Sequence, residues 1–247
     1  MERHRIRCAE VWGGIQTADQ NLETSSLALA LYSLPCEGNA GGDIYYVSVC
    51  GGDRLTRVVI ADLQGHGEQV SAMSRSIYEI LVAHLDDRDS GAVLSELNTA
   101  ALDLGLSAMT TASVVSYYLE DSKLAYTFAG HPPALMRRTN GSWSRIPFVS
   151  TKPFSNVALG VFADAEFEQA EFSLTSGDRV CLYTDGLTET ANEADIFFGE
   201  ANLRTALTAS DALPLAAAKR AILQNLSDFA PASTQEDDLT LLLLEVR

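Results

Sequence analysis

Positive charge is scarce in this sequence: 17 Lys and Arg stand against 33 Asp and Glu, a formal net charge of −16 over 247 residues. That balance excludes phosphate-backbone binding, which needs clustered Lys and Arg to release counterions, and adhesion to anionic membranes. Paired cysteines are missing too. Cys8, Cys36, Cys50 and Cys181 contain no Cys-x-x-Cys spacing, so neither a disulfide framework nor a zinc ribbon is present. Standing singly in apolar segments, they read as small buried hydrophobes in a reducing compartment. The longest apolar run, Leu239 to Leu244, is far too short to cross a bilayer. No apolar stretch follows the basic Met1 to Arg7, so no signal peptide is read. Repeats, low-complexity tracts and linkers are also absent. The expectation is a cytoplasmic chain folding as one domain over 1–247, with no nucleic-acid or membrane partner.

What is present is ample core material, 47% hydrophobic residues, in a recognisable order. Ile44 to Cys50 and Leu55 to Ala61 read as strands joined by the turn Gly51-Gly52-Asp53-Arg54. Val70, Met73, Ile77, Ile80 and Leu81 recur at helical spacing and predict a helix over Gly67 to Leu85. A second helix is expected from Ser90 to Leu104, with Ser90 as N-cap and Gly105 as C-cap. Ala112 to Leu119 and Leu124 to Ala129 make a hairpin, and Ala134 to Arg138 leads to another turn. Phe167 to Leu174 and Arg179 to Thr184 read as a further antiparallel pair. Leu203 to Phe229 is helical with a break at Pro214, and Leu239 to Val246 is the last strand. Strands on both sides of a helical pair predict an α+β sandwich of antiparallel sheets covered by helices.

Certain aspartates sit where these strands begin or end. Asp62 follows Val58-Val59-Ile60-Ala61, and Asp185 follows Val180 to Thr184; Asp43 precedes Ile44, and Asp237-Asp238 precedes Leu239. If starting and exiting strands run antiparallel, all gather at one rim. Like charges about 4 Å apart repel by roughly 4 kcal/mol at an effective dielectric of 20, so such a cluster calls for cations. Oxygen donors suit Mg²⁺ or Mn²⁺, and zinc-type His/Cys spacing and an EF-hand loop are both absent. Two cations sharing a water would generate a hydroxide and clamp a phosphoryl group. Taken singly, each aspartate is as readily a turn former or a helix cap.

Other residues invite competing readings. Gly51-Gly52-Asp53 lies between two strands and reads as a hairpin turn. His66 stands in a glycine-rich turn, where it would either donate a proton to a leaving alkoxide or support the backbone. His131, before Pro132-Pro133, reads as structural. Gly65 and Gly67 permit a turn in which backbone groups approach metal and phosphate, and Gly186 lets the chain bend after Asp185. Gly67 also opens a helix whose N-terminus favours an anion. No Gly-Lys-Ser/Thr follows, so this is not a Walker loop.

Five segments together resemble the bacterial branch of the PP2C-like metal-dependent phosphatases, the SpoIIE, RsbU and RsbX group. They are Gly41-Gly42-Asp43-Ile44-Tyr45, Ala61 to Gly67, Ala129-Gly130-His131-Pro132-Pro133, Leu182 to Glu189, and Asp237-Asp238-Leu239-Thr240. They occur in the family's order from about Ala40 to the C-terminus; residues 1–39 match poorly and would either pack on the catalytic domain or mediate contacts in a homodimer. The resemblance implies a four-layer αββα sandwich and two divalent cations, Mn²⁺ or Mg²⁺. Asp62 would bridge the metals, Asp43 and the Leu63 carbonyl would complete one site, and Asp185 and Asp237 would hold the other. Asp62, Asp185 and Asp237 thus carry catalysis, while Asp238 would sit behind Asp237 and orient it, and Gly65, Gly67 and Gly186 would support the loops. The implied reaction is direct attack of metal-bound hydroxide on phosphoserine or phosphothreonine, in a substrate such as a STAS-domain anti-anti-sigma regulator. Departures from the family pattern are Tyr46 in place of an acid, Gln64 in place of a small residue or Met, and an added acid at Glu68. A non-catalytic phosphoprotein-binding module and a hydrolase of small phosphate esters are the rival readings.

Overall fold

A computed structural model describes residues 4–36, 40–63, 67–105, 110–152, 155–231 and 235–247. The chain opens with β1 (His4–Arg5) and β2 (Val11–Gln16), then β3 (Ala18–Glu23) and β4 (Leu27–Leu34). β5 (Ala40–Val49) and β6 (Leu55–Leu63) are joined by the expected tight turn, in which Asp53 takes a φ of 56° and donates its N–H to the Cys50 carbonyl at 3.0 Å. Helices α1 (Glu68–Ala83) and α2 (Ser90–Asp103) follow, then β7 (Thr110–Tyr118), β8 (Lys123–Ala129), β9 (Leu135–Arg137), β10 (Ser144–Arg145), β11 (Ala170–Ser173) and β12 (Arg179–Tyr183). The C-terminal third carries α3 (Asp185–Thr188), α4 (Gly199–Ala209), α5 (Leu215–Phe229) and β13 (Leu239–Val246).

The strands form two sheets, ordered β1-β3-β4-β13-β12-β9-β10 and β11-β8-β7-β6-β5-β2. Side chains alternate across a strand with period two, and here both faces are covered. Tyr45, Val47, Val58, Ile60 and Val115 of one sheet meet Leu29, Leu31, Val180, Leu182, Leu242 and Leu244 of the other. The alternate residues Ile44, Tyr46, Val59, Ala61 and Val114 pack under α1 and α2, and Cys181, Tyr183, Leu241 and Leu243 pack under α4 and α5. Strands buried on both faces read as near-continuous apolar runs, which accounts for Leu239 to Leu244. The result is the α+β sandwich of four layers that the sequence predicts.

Four details correct the expectations. Phe167 to Leu174 and Arg179 to Thr184 do not pair with each other. β11 joins β8 in the six-stranded sheet, whereas β12 lies between β13 and β9 in the other; the intervening turn folds onto Thr139, which donates its N–H to Asp178 at 2.7 Å. The N-cap of α2 is Asp89, whose carboxylate accepts from the N–H groups of Gly91 and Ala92 at 2.9 and 3.1 Å. Ser90 is buried instead, its hydroxyl 2.8 Å from that of Ser116. Asp43 and Asp62 lie within β5 and β6, not beyond their ends. The poorly matched N-terminal segment is built into both sheets, since β2 pairs with β5 and β4 pairs with β13 along its whole length. The buried Lys219 of α5 reinforces this, donating to the Leu31 carbonyl at 2.8 Å and to Asp19. Among the described residues no helix is long and apolar enough to cross a membrane.

Candidate active site

Alternation decides where the aspartates point. On β5, Asp43 shares a face with Tyr45 and Val47; on β6, Asp62 shares one with Val58 and Ile60, so both are directed between the sheets. They are directly opposite in the β5–β6 register, which places their Cβ atoms about 5 Å apart. From the facing sheet, Thr184 continues the inward set Val180 and Leu182, and Thr240 and Asp238 continue the set Leu244 and Leu242. Asp185 opens α3 directly after β12, and Asp237-Asp238 lies directly before β13.

Asp43 is 3% exposed. Its Oδ2 accepts from the Thr184 hydroxyl at 2.8 Å, and among the described residues its Oδ1 completes no hydrogen bond. Burial holds this carboxyl well above its ordinary range; the Thr240 and Thr184 hydroxyls oppose the shift, and the charges of Asp62 and Asp238 add to it. Asp62 is pushed up to about 7, by burial first and then by Asp185, Asp237 and Asp238. Asp237 is raised by burial and by Asp185 and Asp238, although its Oδ1 accepts the Asp238 N–H at 2.8 Å. No Lys, Arg or His among the described residues acts on these three carboxylates. Among the described residues no three His, Cys, Asp or Glu side chains enclose a single ion by themselves.

The surrounding residues make the close approaches possible. Asp238 is buried, and its carboxylate staples the sheets together: Oδ1 accepts from the Cys36 N–H at 2.7 Å, and Oδ2 accepts from the N–H groups of Gly42 and Asp43. A Cβ at Gly41 would collide with that carboxylate, one at Gly42 with the Leu63 carbonyl oxygen, and one at Gly186 with the Asp238 carbonyl oxygen. The two glycines before Asp43 are therefore demanded by contact, and Gly42 keeps the space over the Leu63 carbonyl clear. Gly67 takes a φ of 76° just before α1, a conformation that L side chains disfavour. Gly65, His66 and Gln64 lie outside the described residues. Glu68 is exposed at the start of α1.

Tyr46 is not at the site. It faces the helix layer, where its hydroxyl stands 2.9 Å from that of Ser74 on α1. Two participants escaped the sequence reading. Thr184 holds Asp43 and also accepts the Thr240 N–H at 2.9 Å; the inward parity of Val180 and Leu182 was the available signal. Glu189, one turn after Asp185, is raised by burial and by Asp185 and Asp237. Beside the rim opens a cleft of about 440 Å³, with Gly186 and Asp237 on one side and Glu189, Glu193 and Phe197 on others.

Residues 52–247 match the family profile described as Stage II sporulation protein E (SpoIIE). Over 196 residues the chain is 26% identical to the protein named Phosphoserine phosphatase RsbP from Bacillus subtilis (strain 168), covering 77% of this chain and 45% of RsbP. It spans less than half the length of the curated relatives it matches. The SiaA-PP2C domain of Pseudomonas aeruginosa superposes with a TM-score of 0.74 at 20% identity, covering 88% of this chain and 84% of that one. The crystal structure of RsbX in complex with magnesium gives a TM-score of 0.67 at 19% identity, covering 92% of this chain and 99% of that one. At these identities the structural likenesses establish the fold.

Proposed function

Because this chain belongs to the SpoIIE family of PP2C-like phosphatases, we propose that its carboxylate rim hydrolyses phosphoserine or phosphothreonine in a protein substrate with the help of two divalent cations. The observation that carries this reading is Asp43 opposite Asp62, with the charges of Asp185 and Asp237 acting on Asp62 and, among the described residues, no cationic side chain offsetting them. Such a cluster is destabilised by desolvation and repulsion unless cations complete it. The donors fit the group. All are oxygen, Asp43 Oδ1 is buried and completes no hydrogen bond among the described residues, and the space over the Leu63 carbonyl exists only because position 42 has no side chain. Mg²⁺ characteristically keeps several waters beside its carboxylate ligands, so waters would complete each ion's coordination here.

In this reading Asp62 would contribute to both ions, Asp43 and the Leu63 carbonyl would help hold one, and Asp185 and Asp237 would help hold the other. When bound, the ions lower the pKa of water and offset the charge of the phosphoryl oxygens. The protein's own part is placement. The Thr184 hydroxyl occupies Asp43 Oδ2 and leaves Oδ1 free; the Asp238 N–H orients Asp237, while the Asp238 carboxylate fixes the backbone of β5. The cleft beside Asp237 receives the polypeptide around the phosphorylated residue, with Phe197, 58% exposed, as its apolar contact. RsbP is named a phosphoserine phosphatase, and a small phosphorylated regulator of the STAS type is the substrate class this reading favours. The binding-module alternative loses its one supporting feature, since Tyr46 faces α1.

The test is hydrolysis of p-nitrophenyl phosphate and a phosphoserine peptide with Mn²⁺, Mg²⁺ or EDTA. Activity should require metal and disappear in Asp185→Asn and Asp237→Asn. Metal-independent activity, or activity retained in both variants, would defeat the proposal.

A further inference from the structure

His131 lies at the same rim, 4% exposed, and takes no part in the chemistry proposed above. Its Nδ1 stands 2.8 Å from the Thr111 hydroxyl, and Thr111 is directly opposite Asp62 in the β6–β7 register. Directly opposed residues project from the same face of a sheet, so Thr111 points between the sheets as Asp62 does. On the ring's other side is the backbone of Tyr183, the last residue of β12 and two before Asp185. One imidazole therefore touches both sheets at the level of the carboxylates.

The loop that carries the ring is held firmly. Gly130 takes a φ of 62°, donates its N–H to the Asn156 carbonyl at 2.9 Å, and packs so closely that a Cβ there would lie 3.0 Å from Ala158. Pro132 and Pro133 fix the backbone on the far side. Burial pushes the ring down to about 3, with the Tyr183 backbone acting in the opposite sense, so it is neutral near pH 7 and adds no charge to the rim. Neutral imidazole has one donor and one acceptor. With the Thr111 hydroxyl donating to Nδ1, the proton is assigned to Nε2, facing the Tyr183 carbonyl. Nε2 completes no hydrogen bond of good geometry. An aliphatic or phenyl group would fill the same space without leaving a polar atom unsatisfied.

We propose that His131 is a positioning residue that, bonded to Thr111 on one sheet and lying against the end of β12 on the other, fixes the separation of Asp62 from Asp185. The inference rests on the metal-site reading given above. The other ties at this rim, Thr184 to Asp43 and Asp238 to the β5 amides, act on the Asp43 side; His131 acts on the Asp62 side. Groups that orient metal-binding side chains typically govern affinity or activity by about 10- to 100-fold when removed.

The deciding measurement is Mn²⁺ affinity of the full chain by calorimetry or EPR, alongside kcat and KM for p-nitrophenyl phosphate. His131→Phe keeps the ring volume and loses both nitrogens; its Mn²⁺ affinity should fall about 10-fold or more, with kcat falling and KM little changed. Thr111→Val cuts the same link with a smaller perturbation and should shift affinity in the same direction. The double variant should lose less than the two single losses combined, and His131→Gln should recover part of the affinity. If His131→Phe does not fold, Thr111→Val decides. Mn²⁺ affinity equal to wild type in Thr111→Val and in any folded His131→Phe overturns the inference, whatever happens to melting temperature, and leaves the phosphatase reading intact. If Asp62→Asn binds Mn²⁺ as tightly as wild type, the metal-site reading itself fails and this inference with it.

Discussion

Strand β12 has an aspartate at each end, and the two ends have been settled differently. Asp178, just before it, is 1% exposed, yet its carboxyl lies below its ordinary range. Burial pushes it up, but the N–H groups of Thr175 and Thr139, the Thr139 hydroxyl and the Arg138 guanidinium outweigh that. At the other end, Asp43 is 3% exposed and its shift is upward, driven first by burial, with the Asp62 and Asp238 charges adding to it and only the Thr240 and Thr184 hydroxyls opposing. Burial alone does not decide the state of a carboxylate; the partners do. One rim is satisfied by the protein's own donors, whereas at the other the carboxylates act chiefly on one another.

Single substitutions at the two rims should separate these roles. Asp62→Asn should lower kcat by about a thousandfold or more, yet raise the melting temperature of the EDTA-treated protein, since it removes a repelled charge. Asp178→Asn should do the reverse: a loss of about 3 kcal/mol of stability, with kcat of the folded, Mn²⁺-loaded protein near wild type. Differential scanning calorimetry and steady-state assays on the same preparations would show both. If each variant lost activity and stability in proportion, the two rims would not differ in kind and the comparison would collapse.

The same contrast appears as a function of pH. Burial, with the charges of Asp185, Asp237 and Asp238 adding to it, pushes folded Asp62 up to about 7 from an ordinary 3.8, so between those values the folded chain holds a proton that the unfolded chain has released. The contribution of Asp62 to the stability of the metal-free protein is therefore greatest below about pH 4 and is lost as pH rises through 7. For Asp178 the sign is opposite, its contribution being present above the ordinary carboxylate range and lost as pH drops through its lowered value. Subtracting the unfolding free energy of Asp62→Asn from that of wild type should isolate a decline of roughly 4 kcal/mol from pH 4 to 7.5, and Mn²⁺ should abolish it. A flat difference would mean that Asp62 is not repelled in the metal-free fold.

Much of the carboxylate rim was legible because it is written in strand parity and in where apolar runs stop. Val58, Ile60 and Asp62 share a face, as do Val180, Leu182 and Thr184, and the ends of Val58 to Ala61 and Val180 to Thr184 mark Asp62 and Asp185. Parity also reassigns Tyr46, which a motif comparison treats as a lost acid but which alternation turns toward α1. The other rim was not legible. Asp178 lies in an ordinary polar turn, and its partner Thr139 is 39 residues away. The placement of β11 in the opposite sheet, and of β4 against β13, likewise depends on long-range pairing that no local pattern encodes.

Asp89 tests the comparison where the effect is smallest. Like Asp178 it accepts backbone N–H groups, those of Gly91 and Ala92, but it is exposed, so water competes for the same donors. Asp89→Ala should cost about 1 kcal/mol, the usual penalty for an N-cap, and leave kcat unchanged because α2 covers the sheet face away from the carboxylates. The ratio of the two losses then measures what burial adds to an otherwise similar carboxylate. Denaturant titration of Asp89→Ala and Asp178→Asn provides it, and equal losses would show that desolvation of the unpaired groups at the Asp178 turn contributes nothing beyond the hydrogen bonds themselves.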